Sequence, residues 1–144
     1  MNSSEEINEY IINKLKKRQN QVYMIRSTRK CLENLNLSGN KIEILNSLEF
    51  PGENLLKDIN LENNLIEKID QNFFINLRCL ENLNLSGNKI ESLKDLSFPD
   101  ENLLRQLNLE NNLIEKIENY FINNLNGLEN LNLSVFRKET YSDN

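Results

Sequence analysis

The sequence predicts an α/β solenoid, a curved right-handed horseshoe with a parallel sheet on its concave face and short helical or extended segments on its convex side. Three observations carry this. One apolar pattern starts again at Leu32, Leu56, Leu80, Leu104 and Leu128, at an interval that never slips. The aliphatic residues are almost entirely Leu and Ile, with no Ala, and there is no Trp, which suits a layered aliphatic core. The abundant Asn residues recur in register, so the reading of an Asn-rich chain as a disordered, low-complexity tract fails.

The strand comes first in each unit. Every start fits L-x-x-[LI]-x-L, whose alternation of apolar and polar residues marks a half-buried strand. The first four copies continue x-x-N-x-I, where Asn-containing turns break the strand before an apolar Ile. Stacked copies make a parallel sheet, and parallel neighbours need a crossover, which is overwhelmingly right-handed. No copy can bury its leucines alone, so stability comes from the neighbours. In these residues the chain resembles the leucine-rich-repeat family with 24-residue repeats, over residues 31 to about 136.

Positions are counted from the first Leu of each repeat. Position 9 holds Asn40, Asn64, Asn88 and Asn112, and the resemblance implies an inward ladder of amides that satisfies the backbone of the turns. Position 14 holds Leu45, Ile69, Leu93 and Ile117. Position 19 holds Phe50, Phe74, Phe98 and Ile122, similar to the family's phenylalanine spine. The Pro usual after position 14 in the family is replaced by Asn46, Asp70, Lys94 and Glu118. A second, doubled period pairs the repeats: odd ones share LEFPGENL and LSFPDENL, even ones IDQNFFINL and IENYFINNL. Pro51 and Pro99 remove backbone donors, so the odd convex segments should be extended, whereas the even ones can close a helical turn.

The two ends need covers. Residues 1–30 are expected to form a helical cap, with Ser3 and Glu6 as a capping box and Ile7, Ile11 and Leu15 on one face. Val22 to Ile25 should add a short strand before the repeat domain, residues 31–144. Repeat 5, starting at residue 128, is truncated, and Phe136 replaces the ladder Asn as a plug. The tail from Lys138 to Asn144 is expected to fray.

Alternation sends positions 3, 5 and 7 to the face opposite the leucines. Position 3 reads Asn34, Asp58, Asn82, Gln106 and Asn130; position 5 reads Asn36, Asn60, Asn84, Asn108 and Asn132; position 7 reads Ser38, Glu62, Ser86, Glu110 and Ser134. This polar, mildly acidic face is the expected partner-binding surface. Five strands about 4.8 Å apart, each showing about 10 Å, project only about 200–250 Å², against roughly 800 Å² per partner in a standard interface. The turn residues Leu65 and Leu113 at position 10 are therefore candidate edge anchors. Arginine at Asn60 and Asn84 is expected to disrupt binding with little effect on stability. At position 2, Glu33, Lys57, Glu81, Arg105 and Glu129 alternate in sign, which reads as a register device. Glu43, Glu67, Glu91 and Glu115 form a like-charged column that reads as a solvated face rather than a metal site.

The chain has no His, which removes the usual general base and metal ligand, and no carboxylate pair stands out from the surface pattern. Neither an enzyme nor a cofactor is expected. Cys31 and Cys79 stand two repeats apart, about 10 Å across two rungs, beyond disulfide reach. No apolar run approaches the roughly 20 residues of a membrane span, and residues 1–15 lack the pattern of a signal peptide. A cytoplasmic monomer is the expectation. The function expected is a non-enzymatic protein-interaction module, a scaffold or adaptor. Two alternatives are a recognition fragment of a larger receptor-like repeat protein and a nucleic-acid-associated protein using the basic cluster Lys14 to Arg18. The acidic repeats argue against the latter.

Overall fold

A computed structural model describes residues 23–24, 32–45, 48–50 and 54–134. The expected N-terminal helix, the basic cluster Lys14 to Arg18, Cys31, Pro51, Phe136 and the C-terminal tail lie outside the described residues. Seven strands and one helix are present among the rest: β1 (Tyr23–Met24), β2 (Asn34–Asn36), β3 (Leu48–Glu49), β4 (Asp58–Asn60), β5 (Asn82–Asn84), β6 (Gln106–Leu109), α1 (Asn119–Asn123) and β7 (Asn130–Leu133). Strands β2, β4, β5, β6 and β7 form one parallel sheet in sequence order. Residues pair across it at the repeat spacing, Leu35 with Ile59, Leu83, Leu107 and Leu131 in turn. The main sheet and the spacing agree with the expected solenoid.

The short strand expected before the first repeat is present as β1, but it pairs in parallel with β3 rather than with β2. Counting explains this. Carried back from Leu32, the frame puts Tyr23 at position 16, beside Leu48 at position 17, so β1 meets a convex segment and not the first concave strand.

The core is a stack of apolar layers. Leu37, Leu61, Leu85 and Leu109 at position 6 are fully buried, and Ile42, Ile66, Ile90 and Ile114 beyond the turn lie in the same core. Each such side chain contributes about 1.5–3 kcal/mol when fully buried. Leu45, Ile69 and Leu93 are buried at position 14, with Ile117 partly so. The aromatic spine runs through Phe50, Phe74 and Phe98 as expected, with one addition. The ring of Phe73 stands edge-on to Phe50 at 5.5 Å and to Phe74 at 4.8 Å, and Phe74 lies 5.0 Å from Phe98. In repeat 4 the buried ring belongs to Phe121, one residue ahead of the expected Ile122, whose side chain is outside the described residues. In the last described rung Leu128, Leu131 and Leu133 pack against this core and are only partly buried.

The position-9 amides form the expected ladder. Asn88 Nδ2 donates to Leu85 O and to Leu61 O of the preceding rung, both at 3.0 Å, while its Oδ1 accepts the Ile66 N–H at 3.0 Å. Asn64 and Asn112 repeat these bonds one rung away on either side, and all three are buried. Asn40 begins the ladder half-buried and donates to Leu37 O and Ser38 O. An amide fits here because it offers donors and an acceptor in one plane.

One residue before each ladder amide, the chain turns through the left-handed region: Gly39, Asn63, Gly87 and Asn111 have φ of 68°, 54°, 65° and 55°. Gly and Asn are the residues that enter this region most readily. The corresponding residue of repeat 5 is Val135, a β-branched side chain that the region disfavours. A Cβ added at Gly39 meets no atom within 4 Å, so a substitution there reports the backbone alone. Gly39→Val is expected to lower stability in urea by about 1–2 kcal/mol, and Gly39→Asn by clearly less; equal losses would show that φ is not the cause.

The convex side alternates with the doubled period, though not in the form expected. Of the two even repeats only the fourth closes a helix, α1, with Phe121 N–H also bonding back to Glu118 O at 3.0 Å. The second makes successive four-residue turns instead, Phe73 N–H to Asp70 O, Ile75 N–H to Asn72 O and Leu77 N–H to Phe74 O. The described odd convex segment, around Pro99, carries no helix. A second set of amides, at positions 21 and 23, ties odd repeats to even ones. Asn54 Nδ2 donates to Asn76 O at 2.8 Å, and Asn76 Nδ2 returns to Phe50 O at 2.9 Å. Asn102 and Asn124 repeat the exchange, with Asn102 Nδ2 reaching Asn124 O at 2.8 Å and Asn124 Nδ2 reaching Phe98 O at 2.9 Å.

Candidate functional site, the concave face

The strands place the polar side chains where alternation predicts. In β2 the burial runs exposed, buried, exposed through Asn34, Leu35 and Asn36, and in β4 and β5 the outer residues are half-buried around Ile59 and Leu83. Register then aligns the columns: Asn34, Asp58, Asn82, Gln106 and Asn130 stand side by side, as do Asn36, Asn60, Asn84, Asn108 and Asn132. At position 7, Glu110 is exposed, Ser38, Glu62 and Ser134 are half-buried, and Ser86 is buried.

The position-5 asparagines carry a structural role that the sequence reading missed. The Oδ1 atoms of Asn36, Asn60, Asn84 and Asn108 accept the backbone N–H two residues on, from Ser38, Glu62, Ser86 and Glu110, at 3.0–3.1 Å. Ser38 and Ser86 also donate their Oγ–H to the same oxygens at 2.7 Å. These local side-chain bonds end each strand and start its turn. The signal was available in the recurring Asn-Leu-[Ser/Glu] at every strand end. Arginine at Asn60 and Asn84 would therefore remove strand-end bonds, about 1 kcal/mol each, which corrects the expectation that stability stays intact.

Charge on the face is one-sided. Asp58, Glu62 and Glu110 lie on it, with Asn82 Nδ2 donating to Asp58 Oδ1 and Asn84 Nδ2 reaching Glu62 Oε2 at 3.5 Å. The position-2 cations are engaged by glutamates: Lys57 Nζ meets Glu33 at 3.1 Å and an Arg105 guanidinium nitrogen meets Glu129 at 2.9 Å. The hydrogen bond and charge of Glu33 hold the Lys57 ammonium above the usual lysine value. Both pairs join adjacent rungs, as a register device should. The two edge candidates differ: Leu113 is 45% exposed, whereas Leu65 is half-buried. Their backbone N–H groups bond Ile90 O and Ile42 O of the preceding turns.

Glu43, Glu67, Glu91 and Glu115 all stand exposed at position 12. Among the described residues no group of three His, Cys, Asp or Glu side chains is placed to hold a metal, and no helix is long and apolar enough to cross a membrane. Cys79 is a half-buried free thiol.

No curated protein matches this chain. The sequence profile of a family described as leucine rich repeat matches it three times in overlapping register, at residues 30–90, 54–114 and 78–135. With its regular repeat period, in-register parallel strands and asparagine ladder, the chain belongs to the leucine-rich-repeat family.

Proposed function

We propose that the chain is a non-enzymatic scaffold or adaptor that holds a partner protein against its concave sheet, with Leu113 as an apolar contact at the turn edge. Leucine-rich repeats are protein-interaction modules in general. The observation that carries the finer reading is the acidic charge of Asp58, Glu62 and Glu110 on a face whose position-2 cations Lys57 and Arg105 are already paired with glutamates. A partner offering Lys or Arg side chains complements it, and such charges set association rate and specificity more than affinity. The small footprint fits a modest affinity, with the turns contributing. The same reading has the module monomeric and in a reducing, cytoplasmic setting, which suits the free Cys79 thiol.

Glu62 and Glu110 are the residues to change, because their side chains support no backbone group of the turn. Glu62→Arg with Glu110→Arg should abolish capture of the partner from native cells while leaving the unfolding free energy within about 0.5 kcal/mol of the parent. Unaltered capture by this variant would refute the concave site. Leu113→Asp should weaken the same capture by a smaller factor.

A further inference from the structure

The convex amide exchange closes the junctions between repeats 1 and 2 and between repeats 3 and 4, and it is missing between repeats 2 and 3. The reason is two residues. Where Asn54 and Asn102 stand, one repeat away in each direction, repeat 2 has Arg78; where Asn76 and Asn124 stand, repeat 3 has Asp100. The carboxylate of Asp100 cannot donate to the Phe74 carbonyl as Asn76 donates to Phe50 O and Asn124 to Phe98 O. Neither Arg78 nor Asp100 forms an ion pair among the described residues, and both side chains are exposed.

At this seam the surface opens into a cavity of about 690 Å³, within the range of about 300–1,000 Å³ typical of ligand sites. One wall carries Arg78 and Ile75, the other Pro99, Asp100 and Glu101, with Phe98 also lining the cavity. Ile75 is 53% exposed, a large apolar side chain left uncovered. The cavity therefore offers a cation on one wall, two carboxylates on the other, and an apolar strip.

We propose that the seam between repeats 2 and 3 is a second docking site, which takes an extended peptide of a partner protein. An apolar side chain of that peptide lies over Ile75 and Pro99, an adjacent carboxylate meets Arg78, and a basic residue on its other side meets Asp100 and Glu101. Both charge types on the walls are thereby matched by one short segment. The two junctions of the same chain that carry the exchange are the internal control: replacing Arg78 and Asp100 by the asparagines found there should shut the site.

The test is selection of a random nine-residue phage-displayed peptide library on the full chain, with counter-selection on the Arg78→Asn/Asp100→Asn variant. Enrichment of peptides with an apolar residue between an acidic and a basic one is expected. Such peptides should bind the variant at least about tenfold more weakly and bind Glu62→Arg/Glu110→Arg unchanged, which separates this site from the concave one. The closed variant should also melt about 2–4 °C higher than the parent through its restored bonds. Peptides that fail to distinguish the two chains, an enriched pattern lacking the charge pair, or a variant no more stable than the parent would each overturn the proposal.

Discussion

Replacing Asn88 with alanine is expected to lower stability by about 3 kcal/mol or more, a large part of the roughly 5–15 kcal/mol margin of a domain. The loss leaves the Ile66 N–H without its acceptor and takes one of two amide donors from each of Leu61 O and Leu85 O, all within the core. Water cannot replace these bonds at a buried side chain, whereas it can at Asn40, which is half-buried and makes only bonds within its own turn. Asn40→Ala should therefore cost about 1 kcal/mol. Asn88→Asp distinguishes hydrogen bonding from size. Its carboxylate would face two carbonyls, so the folded state favours the protonated form and raises that carboxyl's pKa above the unfolded value. The stability retained by that variant is then greatest in acid and is lost as pH rises through the raised pKa. Equal urea midpoints for Asn88→Ala and Asn40→Ala, or a pH-independent Asn88→Asp, would refute this account of the ladder.

Phe74→Ala should cost a further class of energy, about 3–5 kcal/mol, from the cavity it leaves. Its ring is fully buried and touches both Phe73 and Phe98, so it joins the aromatic stack across the junction where the convex amide exchange is absent. Phe74→Leu keeps most of the volume and should cost under about 1.5 kcal/mol. Chemical denaturation of the three proteins decides the matter: a small loss for alanine would mean that Phe73 swings in to fill the space. Because each rung contacts only its neighbours, an interruption at rung 2 should also broaden the transition by letting the two halves unfold separately.

The parts legible in the sequence are those that every rung must solve in the same way. Leu37, Leu61, Leu85 and Leu109 recur because each layer buries the same slot, and Asn64, Asn88 and Asn112 because each turn presents the same carbonyls and N–H. The candidate face was equally readable as a set of directions, since alternation fixes which side a residue takes. Alternation does not say what a short side chain reaches, and so Asn60 and Asn84 read as free surface while their Oδ1 atoms end the strands. The convex side was harder because its rule spans a pair of repeats and only two such pairs exist. Asn54, Asn76, Asn102 and Asn124 recur at that spacing, but their partners are backbone carbonyls of neighbouring rungs and leave no mark in the sequence. The cavity at Arg78 and Asp100 is walled by residues of two different rungs, which no single repeat's pattern brings together.

The asparagine ladder also gives the coil a direction in time. Each buried amide reaches backward: the Ile42, Ile66 and Ile90 N–H groups are satisfied by Asn64, Asn88 and Asn112 of the following rung. A chain emerging from the ribosome thus holds every turn unfinished until the next repeat has been translated, and synthesis itself proceeds as a closing zip. Loss of rungs from the C-terminal side strips the finishing amide from the turn that remains, while loss from the N-terminal side leaves the surviving turns complete. Position 9 of the fifth rung is Phe136, which has no amide to send back to Ile114, so the ladder stops at Asn112 by composition.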